Sequence, residues 1–256
     1  MKKIIEVKNL SKIYDQLLKN PIQALNCINF SMDKGEFVCV MGPSGAGKST
    51  FLNCISLIDI PTEGSVKIDG IELNSLSMDK IGKYRFENLG LVFQDVNLLS
   101  NLTIYDNIAI PLTLFNKQKK MIDEAIVRIS MQMGINDLLE KYPFECSGGQ
   151  IQRAAICKAL INTPKILIAD EPTGNLDSKN THEVMSLFRK LNKEGVSILL
   201  VTHDPMVASY SERVIYIKDG TIENDIKRNN LNQSDYFYKI IEVNSSESLQ
   251  IINPKS

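Results

Sequence analysis

The stretch "GPSGAGKST", Gly42 to Thr50, has the spacing G-x-x-x-x-G-K-[ST] of a phosphate-binding loop. Gly42, Gly45 and Gly47 allow the main chain to curl until several N–H groups face one anion, with Pro43, Ser44, Ala46 and Thr50 completing the loop. Lys48 would place its charge at the β- and γ-phosphates, and the Ser49 hydroxyl can ligate Mg²⁺. Asp170 and Glu171 stand together after the apolar run "KILIA". Paired carboxylates beside a phosphate loop fit a division of labour, with Asp170 holding Mg²⁺ and Glu171 deprotonating an attacking water. The plainer alternative is acids capping a turn, since "DEP" is also turn sequence. His203 ends the apolar run "SILLVTH" and could hydrogen-bond a γ-phosphate oxygen or simply close a turn, whereas His182 in "SKNTHEV" reads as a surface residue.

A second stretch, "ECSGGQIQR" (145–153), sets two glycines just ahead of a helical segment. By itself it reads as a helix cap and turn, or as bare amides at the positive end of a helix that would suit an anion.

These residues need a scaffold, and the apolar runs supply one. "FVCVM" (37–41), "ILIAD" (166–170) and "SILLVTH" (197–203) are continuous rather than alternating, which fits strands buried on both faces of a parallel sheet. Each ends in polar residues, where open α/β sheets place their ligands. Ahead of them, residues 4–10, 25–32 and 65–73 read as antiparallel strands, with Asp69-Gly70 as a hairpin turn. Residues 95–162 carry helical spacing, notably 121–142, and residues 244–256 are polar and sparse in core formers, which predicts a loosely ordered tail.

Composition sets bounds. The 256 residues are 43% hydrophobic, enough for a large core, and 29 basic against 30 acidic residues give no reason to expect a nucleic-acid partner. Five cysteines, without a C-x-x-C pair and mostly inside apolar runs, suit a reducing cytosol. The N-terminus turns polar within a few residues, unlike a signal peptide, and no apolar segment approaches the roughly 20 residues that cross a bilayer. A membrane role would therefore act through a partner.

With these pieces in order, the sequence resembles, over nearly its whole length, the nucleotide-binding subunits of ATP-binding-cassette (ABC) transporters. "GPSGAGKST" is similar to the Walker A loop, "LVFQDVNLL" supplies Gln94 as the Q-loop glutamine, and "CSGGQIQR" resembles the ABC signature. "ILIADEP" is similar to the Walker B strand with Glu171 as catalytic glutamate, "GNLD" to the D-loop ending at Asp177, and "VTHD" to the switch histidine, His203. Tyr14 in "SKIYD" occupies the place of the aromatic that stacks on adenine.

The resemblance implies one α/β domain over 1–256, a P-loop NTPase (RecA-like) core. It would have a mostly parallel sheet, an N-terminal antiparallel β subdomain and an inserted helical subdomain at about 95–162. It implies ATP and Mg²⁺ as cofactors, Ser49, Gln94 and Asp170 at the metal, and Glu171, His203 and Gln94 in catalysis. It further implies a head-to-tail homodimer in which Ser147, Gly148, Gly149, Gln150 and Asp177 reach the nucleotide held by the partner's Tyr14 and residues 42–50. A transmembrane permease would anchor the pair at the cytoplasmic face of the membrane. "FQDVNLLSNLTIYDNIAIPL" and "DEPTGNLDS" look like the Bce-type branch, ATPases of antimicrobial-peptide resistance, in the macrolide-export and lipoprotein-release group. An ATPase for lipoprotein release, envelope remodelling or cell division is the alternative. A soluble ATPase acting on ribosome or DNA is disfavoured by the single cassette and the lack of long heptads. Two positions depart from the family pattern: Cys146 stands where leucine is usual and Lys158 where arginine is usual, so altered packing and a lost planar fork are expected there.

Overall fold

The computed structural model describes residues 2–15 and 20–252. They form two compact units, residues 1–75 with 199–256, and residues 76–198. The helical segment expected at 95–162 lies wholly inside the second unit, which also takes in the flanking strands and helices.

The first unit opens with β1 (Lys3–Tyr14), β2 (Ile22–Asp33), β3 (Phe37–Met41), α1 (Lys48–Ile55), β4 (Glu63–Ile68) and β5 (Ile71–Glu72). β1, β2, β4 and β5 make the antiparallel sheet, in the order β2-β1-β4-β5. Asp69 and Gly70 turn between β4 and β5 with φ of 48° and 81°, as a primed hairpin turn requires. β1 runs four residues beyond the stretch expected from sequence. Register shifts between Val7 and Leu10, Leu10 and Lys12, and Lys12 and Ile13 break the alternation that marks a strand in sequence, and they carry Tyr14 to its position.

In the second unit follow α2 (Met78–Asn88), β6 (Leu89–Val92), α3 (Ile104–Leu114), α4 (Lys119–Met133), α5 (Gly148–Leu160), β7 (Ile166–Asp170) and α6 (Ser178–Lys193). β8 (Ser197–Val201) starts in this unit and ends in the first, which is completed by α7 (Pro205–Ala208), β9 (Arg213–Lys218), β10 (Thr221–Lys227) and α8 (Gln233–Ile252). β3 pairs parallel with β9 and β6 parallel with β7, while β10 returns antiparallel along β9. Every residue of β3 and β8 is buried, which is why both read as unbroken apolar runs. Each of their Phe, Val, Met, Ile and Leu side chains contributes about 1.5–3 kcal/mol of burial.

Several expectations needed correction. The helical reading of 121–142 breaks at Gly134, which caps α4 in the left-handed region at φ 66°. β6, β9 and β10 were not among the expected strands. β6 contains Gly90, whose added Cβ would stand 2.6 Å from the Ala159 carbonyl oxygen of α5, so glycine marks a close helix crossing there rather than a loop. α8 continues through residues 244–252, expected as a loose tail, and 253–256 lie outside the described residues.

Candidate functional site

In the first unit the loop 42–50 joins β3 to α1. Gly42, Gly45 and Gly47 have φ of 150°, 79° and 98°. A Cβ on Gly42 would lie 2.0 Å from the Ile217 carbonyl oxygen, and one on Gly47 2.4 Å from that of Ala24, so the loop is pressed against neighbouring main chain where only glycine fits. Ala46 is buried; its carbonyl accepts from Gly220 N at 3.1 Å, fastening the loop to the β9–β10 turn. Gly47 caps α1 without a side-chain hydrogen bond, and no acid stands in the helix's first turn, an arrangement open to an anion. Lys48 Nζ donates to the carbonyls of Gly42 (2.9 Å) and Pro43 (2.8 Å), so its ammonium is held over the loop.

Tyr14 ends β1. Its hydroxyl donates to Asp59 Oδ2 at 2.6 Å, and Lys12 Nζ pairs with Asp59 Oδ1 at 2.5 Å while lying 4.9 Å from the Tyr14 ring centre. Burial and the bond to Asp59 push the Tyr14 hydroxyl above its ordinary pKa, against a hydrogen bond with Thr50 that lowers it. Tyr14 is thus brought beside the phosphate loop. Burial would raise the Asp59 carboxyl, but hydrogen bonds from Lys12 and Tyr14 outweigh it and hold the group below the usual carboxylate range. A depressed carboxyl stabilises the fold above its unfolded pKa and loses that contribution as pH falls through the folded value. Asp59→Asn is therefore expected to cost about 0.5–1 kcal/mol near neutral pH, and the gap between its melting temperature and that of the parent should shrink as pH falls through the range in which carboxyls protonate. Thermal melts against pH check this.

His203 follows β8, where Thr202 N donates to Val40 O at 3.1 Å. This sets His203 at the same sheet edge as Gly42, exposed to solvent.

In the second unit, Val92 pairs with Ala169, so Gln94, two residues past the end of β6, and Asp170, the last residue of β7, lie at the same end of neighbouring parallel strands. Glu171 has φ 45°, the left-handed region that is uncommon for a residue with a Cβ, and its carbonyl accepts from Gly174 N at 3.1 Å. A Cβ on Gly174 would stand 3.2 Å from Gln94 Nε2, so the Gln94 side chain lies against the turn that Glu171 begins.

Ser147 caps α5. Its Oγ accepts from Gln150 N at 3.4 Å, and Gln150 Oε1 accepts from Ser147 N at 2.8 Å, a reciprocal capping box. The helix-cap reading therefore describes this chain's own contacts, and the box aims the start of α5 outward from Gly148. Gly149 has an internal role the sequence did not disclose. An added Cβ would lie 2.2 Å from Asn180 Oδ1, and Asn180 Nδ2 is itself bonded to Asp177 Oδ2 at 2.7 Å. Asp177 caps α6, with Oδ1 accepting from Asn180 N at 2.8 Å, and these bonds hold its carboxyl below the usual range. Gly149→Ala should thus unseat Asn180 and destabilise the fold by about 1–3 kcal/mol, read as a lowered melting temperature.

The two departures have plain accommodations. The Cys146 thiol donates to Tyr142 O at 3.6 Å, and burial pushes its pKa up, keeping it a protonated, packed side chain. Lys158 Nζ donates to Asn97 O at 2.8 Å in place of any bidentate pairing, and burial lowers its pKa. Sequence reasoning missed Lys12, Asp59 and Asn180, which carry no motif of their own; Asp59 reaches Tyr14 across 45 positions, and Asn180 lies against Gly149.

Comparison with known proteins places the chain. Residues 25–174 match the pattern of the family described as ABC transporter. The chain is 47% identical over 244 residues to the ABC transporter ATP-binding protein YxdL of Bacillus subtilis, covering 95% of this chain and 94% of that one. It is 41% identical to the bacitracin export ATP-binding protein BceA of Halalkalibacterium halodurans over 93% of this chain and 94% of the relative. Among solved structures, the dimeric post-hydrolysis ATP-binding cassette MJ0796 of Methanocaldococcus jannaschii, bound to ADP and Pi, superposes with a TM-score of 0.80 at 41% identity, covering 87% of this chain and 98% of that one. With a glycine-rich loop pressed into shape by its neighbours, a helix capped by Ser147 and likeness along almost the whole length to these subunits, the chain belongs to the ABC transporter family as one of its ATP-binding ATPase subunits.

Proposed function

We propose that the chain is the motor of a membrane transporter that handles a peptide antibiotic. Two copies close head to tail around two ATP molecules, and their closing and reopening drive a transmembrane permease. The observation that carries this reading is the likeness to a bacitracin export ATP-binding protein over 93% of the chain, joined to the glycine-shaped loop.

In this reading the main-chain N–H groups of residues 42–50 and Lys48 bind the phosphates, and Tyr14, steadied by Asp59, stacks on adenine. Glu171 accepts a proton from the water that attacks the γ-phosphorus. The bond to the β–γ bridging oxygen breaks, releasing ADP and phosphate. His203 hydrogen-bonds a γ-phosphate oxygen. The hydroxyl of Ser49, the amide oxygen of Gln94 and the carboxylate of Asp170 are hard oxygen donors of the kind Mg²⁺ prefers, and Gln94 and Asp170 stand at the same end of the paired strands β6 and β7. The metal would neutralise charge on the β- and γ-phosphates. Ser147, Gly148 and Gly149, with Gln150 and Asp177 beside them, approach the γ-phosphate held by the other copy.

No helix among the described residues is long and apolar enough to cross a membrane. In this reading the permease holds the chain at the membrane's cytoplasmic face. Purification with the permease into lipid discs tests the reading: bacitracin should stimulate ATP hydrolysis, and stimulation by a macrolide in its place would overturn the substrate class.

A further inference from the structure

One buried polar group has no part in the mechanism above. Gln152 lies in α5, is 3% exposed, and its Nε2 has no acceptor among the described residues. It lines a cavity of about 420 Å³ whose walls are Gln94 to Leu98 after β6, Gly148 and Ile151 at the start of α5, and Pro172, Asn175 and Leu176 after β7. A buried amide donor without an acceptor disfavours its conformation by about tenfold or more, so a state that brings an acceptor within reach gains that factor.

The walls differ in how they are tied. Residues 172–176 are bound by turns from Gly174 N to Glu171 O and from Leu176 N to Thr173 O, both 3.1 Å, before Asp177 caps α6. Residues 93–99 belong to no helix or strand. Their far end is anchored, with Asn97 O accepting from Lys158 and Leu99 N donating to Asn107 Oδ1 at 2.7 Å. Between Gln94 and that anchor, Asp95 and Val96 face the cavity that Gln152 lines. The wall able to supply an acceptor by a small shift is therefore 94–96.

We propose that Gln152 is a positioning residue whose Nε2, in the nucleotide-bound state, donates to a main-chain carbonyl of residues 94–96 and thereby ties the placement of Gln94 to the signature helix α5. This rests on the reading that Gln94 serves bound ATP. The bond makes phosphate occupancy and the state of α5 one equilibrium instead of two.

Gln152→Met and Gln152→Glu keep the side-chain length and both remove the donor, but they differ in stability. Methionine relieves the buried polar group and should raise the melting temperature by about 2–4 °C, whereas glutamate buries a charge and should lower it. In the full chain carrying Glu171→Gln, ATP should slow amide hydrogen exchange at residues 94–98. Both Gln152 variants should lose that slowing while binding ATP within about twofold of the parent, and in the Glu171 background both should turn over about tenfold more slowly at saturating ATP. The proposal is overturned if Gln152→Met keeps the slowing and the turnover, or if only the less stable Gln152→Glu loses them, as a buried water satisfying Nε2 would dictate. A parent that binds no ATP would overturn the functional reading itself.

Discussion

Glu171→Gln is expected to reduce ATP hydrolysis by about 10²–10⁴-fold while leaving ATP bound and the dimer closed. Glutamine has the same shape and can still hold a water, but its amide cannot take the proton that the attacking water must lose. The backbone is indifferent to the change. Glu171 sits at φ 45° in a turn closed by Gly174 N, and glutamine carries the same Cβ into that conformation. Removing one carboxylate charge from beside the phosphates also favours the bound triphosphate. Single-turnover hydrolysis with chromatographic mass measurement separates the two effects. A slow, ATP-dependent dimer is the expected outcome, and turnover at the parent rate would remove Glu171 from the role of base.

Ser147→Arg should abolish turnover with little change in ATP binding by the single chain. Ser147 belongs to the second unit and the phosphate loop to the first, and the contacts Ser147 makes at home are those of the α5 cap. Losing the cap costs about 1 kcal/mol, which a fold of this size tolerates. In the proposed dimer, arginine destroys the surface offered to the other copy, because a long cation replaces a small hydroxyl where a γ-phosphate would approach bare amides. Equilibrium binding of a fluorescent ATP analogue beside steady-state hydrolysis reads both quantities, and loss of binding in the monomer would contradict the assignment.

The legible parts of this chain are those in which one local property dictates structure. Phe37–Met41 and residues 166–169 are buried throughout, so their strands stand in the sequence as unbroken apolar words, the second closed by the half-buried Asp170. The phosphate loop was legible because each glycine is demanded by a backbone conformation or a close approach. Illegible were the features made by distant contacts. Asp59 reaches Tyr14 and Lys12 across 45 and 47 positions, and nothing near any of the three announces it. Gly149 reads as a bare amide for a ligand, yet its lack of a Cβ also seats Asn180, so one residue type answers two needs that the sequence cannot separate. β6 went unread, and its Gly90, a residue type that weakens a strand pattern, is the one that lets α5 cross β6.

The central claim is that each ATP site is shared between two copies, with residues 42–50 of one and Ser147–Gly149 of the other. Mixing two inactive variants tests it most directly. Lys48→Ala spoils a copy's own phosphate loop, and Ser147→Arg spoils what it offers its partner. In a mixed dimer one site joins the intact loop of one copy to the intact signature of the other. Random pairing of equal amounts should therefore restore about a quarter of the parent activity under two-fold symmetry. Turnover in the mixture where neither variant alone has any is the predicted result; a mixture as inactive as its components would contradict the shared site.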